Sequence, residues 1–186
     1  GCVMFSDSRS KKLALVSHCI LNQNAISDAT ADFPSQYRQI LDLLVENHIG
    51  IIQLRCPELM CLGLNRKDDL GGERDVLVEN SRIRRLLEER GNIDKLRGYA
   101  DEIKFEVCEY LKHGFTIVGI IGVNRSPSCG IETTTRDSKE VPGYGVFMCE
   151  LKAALEAVNI ALPMVGTKTG EVEESVRAVK KLIGEG

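Results

Sequence analysis

Seven cysteines run through this 186-residue chain, and three of them follow apolar runs inside turn-forming segments. Cys19 closes Ser17-His18-Cys19 and Cys56 opens Cys56-Pro57-Glu58. Cys129 lies in Asn124-Arg125-Ser126-Pro127-Ser128-Cys129-Gly130. Proline fixes φ and removes a donor, and glycine permits tight backbone paths, so these turns can hold thiolates aimed into one pocket. Three converging thiolates suit a soft metal centre. Iron–sulfur clusters normally take four Cys; with three, one iron keeps an open position, as catalytic metal sites do. Such an iron acts as a Lewis acid or takes a substrate's sulfur. Glu58 is then the candidate general acid or base, and Ser126 supplies a hydroxyl to orient substrate or relay a proton. Cys61, five residues after Cys56, is a further ligand candidate or a resolving thiol. His18 adjoins Cys19, but on a continuing strand it faces the other way. Cys108 and Cys149 fall in helical stretches and read as core residues; Cys2 lies in a polar tail.

These side chains need a scaffold, and the hydrophobic pattern supplies one. LALVS (13–17), IGIIQL (49–54), FTIVGIIGV (115–123) and ALPMVG (161–166) are apolar without strict alternation, as strands covered on both faces are. Helical periodicity separates them, over 34–48, 93–113, 145–159 and 171–183, with a shorter helix at 81–89. The expected fold is a single α/β domain over 12–186, a Rossmann-like parallel sheet of about four strands flanked by helices, after a polar tail over 1–11. Ligands in such sheets bind beyond the carboxyl ends of the strands, where Cys19, Cys56 and Cys129 all fall. Polar loops at 62–80 and 131–144 read as lids or binding loops. His48 and His113 sit at helix ends and read as structural. Gly166-Thr167-Lys168-Thr169-Gly170 lacks the phosphate-loop spacing and precedes Glu171, Glu173 and Glu174, so Thr169 reads as a helix cap.

Composition narrows the function classes. Lys plus Arg total 24 against 27 Asp plus Glu, a net charge of -3, with no Trp, which argues against a nucleic-acid platform. The longest apolar run is half a membrane span, and no secretory leader pattern opens the chain. The expected setting is cytoplasmic, with no membrane or nucleic-acid partner. Oligomeric state stays open.

The segments CILNQN (19–24), CPELMCLGLNR (56–66) and NRSPSCG (124–130) together resemble the thiouracil desulfidase (TudS-like) family, nearest a related branch of it, from Lys12 to Asn159. The resemblance implies a 4Fe-4S cluster held by Cys19, Cys56 and Cys129, with Glu58 in proton transfer and Ser126 assisting. It implies hydrolytic removal of sulfur from a small thiolated substrate, with sulfide released. After the first cysteine this chain has Asn22, Gln23 and Asn24 where better-known members carry Arg and Tyr. Met60-Cys61-Leu62-Gly63-Leu64 replaces a Gly-Gly-Leu turn. Asn22, Asn24, Arg66 and Asn124 are therefore the candidate substrate contacts. The competing expectation is a non-catalytic metal-binding or sensing module, in which zinc needs Cys61 or His18 as fourth ligand. A thiol enzyme using Cys129 ranks behind both, because no Cys-His pairing is evident near the motifs.

Overall fold

A computed structural model describes residues 4–184; Cys2 lies outside the described residues. Four strands, β1 (Lys12–Ser17), β2 (Gly50–Leu54), β3 (Thr116–Val123) and β6 (Met164–Thr167), form one parallel sheet in the order β2-β1-β3-β6. The expected α/β architecture is the observed one. In register, Leu15 stands between Ile52 and Ile120, and Val16 beside Ile121.

Because successive strand residues point to opposite faces, the sheet feeds two apolar layers. Leu15, Ile52, Leu54, Ile117 and Ile120 face α4 (Val76–Leu87), α5 (Arg90–Lys112) and α6 (Val146–Glu156), where Leu96, Phe147 and Leu151 are fully buried. Ala14, Val16, Ile121 and Val165 face α2 (Arg38–Glu46) and α7 (Val172–Leu182). Each layer seals one face of the sheet, so the strands need no polar alternation.

The chain leaves β1 toward β2 on one side and returns across β1 to β3 on the other. The direction reversal falls between β1 and β3, and a crevice opens at such a switch point beyond the strand ends.

Several local expectations shift. The helix expected over 81–89 begins at Val76, because Asp75 caps it by accepting from the Leu77 N–H at 3.0 Å. The segment 131–144 is no open loop but an antiparallel hairpin, β4 (Thr133–Arg136) paired with β5 (Lys139–Pro142). Thr169 does not cap α7; Glu171 holds that position without a side-chain cap bond, while Ser175 Oγ accepts from the Lys168 N–H. Cys149 is exposed and Cys108 half-buried, since the buried side of α6 is carried by Val146, Phe147, Leu151 and Leu155. In the tail, the Phe5 ring meets Phe115 edge-on at 5.3 Å. Among the described residues no helix is long and apolar enough to cross a membrane.

Candidate metal and catalytic site

One pocket beyond the carboxyl ends of β1, β2 and β3 is lined by Cys19, Cys56, Cys129, Glu58, Arg66 and Ser126. Each thiol arrives by a different local device. β1 ends at Ser17, and the chain turns at once into the short helix α1 (His18–Leu21). That turn breaks the strand alternation, so His18 lines the same pocket as Cys19 instead of facing away. His18 Nδ1 donates to Gln53 Oε1 at 2.8 Å and its Nε2 accepts from Asn22 Nδ2 at 3.2 Å. Both ring nitrogens are engaged.

Cys56 caps α3 (Pro57–Leu62): its Sγ accepts from the Leu59 N–H at 3.4 Å, and Pro57 occupies the first turn. Proline is preorganised there, where its missing N–H costs nothing. Cys61, on the same helix, packs against the main core and does not line the pocket.

Cys129 is held by its turn. Ser126 Oγ accepts from the Cys129 N–H at 2.9 Å and the Ser128 N–H at 3.3 Å. The start of α6 docks on the same turn, with Val146 and Phe147 N–H groups donating to the Pro127 and Ser128 carbonyls. A Cβ on Gly145 would lie 2.3 Å from the Ser128 carbonyl carbon, so only glycine allows this docking.

Glu58 and Arg66, 7% and 2% exposed, form a buried ion pair at 3.1 Å. Arg66 also donates to the Ala25 carbonyl at 2.6 Å and the Leu64 carbonyl at 3.0 Å, and its Nη2 lies 3.8 Å from Cys56 Sγ. Its guanidinium holds Glu58, the 22–30 loop and its own turn at Leu64. Glu58 Oε2 accepts from Ser128 Oγ at 2.6 Å, and Ser128 Oγ lies 3.2 Å from Ser126 Oγ. Ser128 was not singled out from the sequence. The signal was available in the paired serines flanking Pro127, but which one reaches Glu58 depends on the turn.

Other expected contacts do not converge. Asn22 and Asn24 are exposed and line a separate groove, Asn22 Oδ1 accepting from the backbone and side-chain N–H groups of Asn24. Asn124 reaches the pocket wall, but its Oδ1 accepts from the N–H groups of Ile131, Glu132 and Thr133. It staples the hairpin to β3.

Electrostatically the three thiols are poised against charge. Burial, then the neighbouring Cys129 and Cys56, push the Cys19 thiol well up. Burial and the Glu58 carboxylate raise Cys56, with the Leu59 N–H and Arg66 opposing. Burial and Cys56 push Cys129 up to about 12, against the Ser128 and Ser17 hydroxyls. Ser17 Oγ is fully buried with no other hydrogen-bond partner and faces that thiol.

One buried and two half-buried thiols, each costly to ionise beside the others, and an unused hydroxyl suit a group that brings positive charge. Among the described residues no group of three or more His, Cys, Asp or Glu side chains closes on a single metal ion.

No family model matches the chain, and no solved structure matches it. It is similar to an uncharacterized protein of the archaeon Methanocaldococcus jannaschii, 28% identical over 177 residues that span 94% of this chain and 99% of that protein. That protein's name assigns no activity.

Proposed function

We propose that this chain is a 4Fe-4S-dependent desulfidase that hydrolyses a small thiolated compound, a thiouracil-like heterocycle, to its carbonyl and sulfide. Supporting this reading above all is one pocket lined by Cys19, Cys56, Cys129 and the buried carboxylate of Glu58, with no fourth cysteine lining the pocket among the described residues. A cluster held by those thiolates supplies, when bound, an iron with an open position, a soft acceptor for thiocarbonyl sulfur. Glu58 accepts a proton from the attacking water at its carboxylate. Arg66 fixes that carboxylate from Oε1 and Ser128 from Oε2, so its orientation is set before substrate arrives. Ser126 Oγ, already accepting two backbone N–H groups, keeps its own proton free to donate toward Ser128 or the substrate. Ser126, Ser128 and Glu58 thus form a hydrogen-bonded row along which a proton can pass. The overall change is the exchange of C=S for C=O by one water, with no net redox.

Anaerobic reconstitution with iron and sulfide tests this directly. Expected is a brown protein with about four irons per chain that releases sulfide from 2-thiouracil or a related thiolated compound. Colourless protein retaining zinc would move the assignment to a metal-binding module. A cluster-loaded, fully active Glu58→Ala variant would remove Glu58 from its role.

A further inference from the structure

Two arginines line the pocket, and one of them, Arg66, is held by Glu58. Arg125 lines the same pocket and is half-buried, yet among the described residues its guanidinium makes no ion pair or hydrogen bond. Glu140, within its electrostatic reach, is already taken by Lys168 at 2.9 and 3.2 Å.

Its backbone, by contrast, is tightly held. Arg125 sits at φ 71, a left-handed conformation that arginine adopts at a cost. The Arg125 N–H donates to the Thr133 carbonyl and Thr133 Oγ1, and its carbonyl accepts from Thr135 Oγ1 at 2.6 Å. The hairpin thereby anchors the base of this side chain at the pocket wall. A partly desolvated cation without a partner is unfavourable unless a ligand brings one.

The pocket interior poses the opposite problem. Glu58 is acidic, the three cysteines add negative charge when they act as ligands, and Arg66 offsets only the carboxylate. An anionic ligand entering this pocket needs a cation at the wall.

We propose that Arg125 reads an anionic group on the substrate, so that the preferred compound is a thiolated acid, with a carboxylate on the ring that bears its thiocarbonyl, rather than a neutral thiolated base. The guanidinium fork matches a carboxylate with two parallel N–H···O bonds. The thiocarbonyl half of this assignment rests on the desulfidase reading; the carboxylate half rests on the geometry of Arg125.

Calorimetry separates the two. The oxygen analogues uracil-6-carboxylate and uracil are titrated into the purified chain, as isolated and after reconstitution. Wild type is expected to bind the carboxylate about tenfold or more tightly, an advantage that shrinks with added salt. Arg125→Asn should bring the two ligands within about twofold, while Arg125→Lys, a point charge without the fork, keeps part of the preference. Asparagine tolerates the left-handed conformation, so Arg125→Asn should melt no lower than wild type. Equal affinities in wild type, no binding of either ligand at millimolar concentration, or a preference surviving in Arg125→Asn overturns the proposal. So does a lost preference accompanied by a lowered melting temperature, which would assign Arg125 to structure. Sulfide release from 2-thiouracil and its 6-carboxylate then tests the chemistry separately. Binding preference without sulfide sinks the desulfidase reading alone; sulfide release at equal efficiency from both sinks the Arg125 assignment alone.

Discussion

Replacing Arg66 by methionine removes a buried cation while keeping most of its volume and the same backbone demand at φ 54. The change leaves Glu58 enclosed with Ser128 as its remaining hydrogen-bond donor and strips donors from the Ala25 and Leu64 carbonyls. Breaking a buried pair from one side costs about 3–5 kcal/mol, because the other charge stays behind. A domain is stable by only about 5–15 kcal/mol in total. At about 2–4 °C per kcal/mol for a chain of this size, the melting temperature should fall by roughly 6–20 °C. Urea unfolding of Arg66→Met, Glu58→Gln and the double variant reads the energies. The double variant should be more stable than the summed singles predict, by about 0.5–3 kcal/mol, as contacting residues couple. A cost for Arg66→Met below about 1 kcal/mol, the value of an exposed pair, would refute the reasoning. Strict additivity of the two singles would do so equally.

Further outcomes follow from the same geometry. Cys56→Ala and Cys129→Ala should each abolish iron loading after reconstitution, whereas Cys61→Ala and Cys149→Ala should load normally; iron content and the visible spectrum decide. Glu58→Gln should keep its iron and lose sulfide release by about 10²–10⁴-fold; a loaded variant within a few-fold of wild type would count against it. Gly145→Ala drives a Cβ into the Ser128 backbone and should lower both iron content and melting temperature. The empty-site protein should lose stability in alkali. Folding raises the Cys129 pKa from 9.0 to about 12, so the unfolded chain sheds this proton first as pH climbs. Stability is then whole below pH 9 and falls across 9–12 by up to about 1.4 kcal/mol per pH unit for this thiol. Cys129→Ala should flatten that slope in urea unfolding measured from pH 8 to 11; an unchanged slope would clear this thiol of the effect.

Much of the scaffold was legible along the chain. Unalternating runs of Val, Ile and Leu between amphipathic stretches admit few arrangements other than a doubly covered parallel sheet, because each strand must bury both faces. The crevice rule then brought Cys19, Cys56 and Cys129 to one edge, and all three line one pocket there. The hairpin over 133–142 leaves no signal in the sequence, because four-residue strands of Thr, Lys and Glu lack an apolar rhythm. It is held by pairing with itself and by the buried Arg84 at Thr134 and Thr135.

What residue types and spacing determined was the inventory: three thiols, one carboxylate and one serine at strand ends. Which of them touch was decided by the tertiary structure. Hydrogen bonds of about 3 Å are set by where separate turns land, and the helical turn that follows Ser17 at once is enough to swing His18 into the pocket. Asn22, Asn24 and Asn124 looked available for substrate, but the backbone claimed Asn124, and Asn22 and Asn24 lie on a separate groove. Arg66 became Glu58's partner although eight residues part them, because the chain from α3 folds back over the carboxylate. Such contacts have no signature in a linear pattern, since they depend on packing distances that only the folded chain defines.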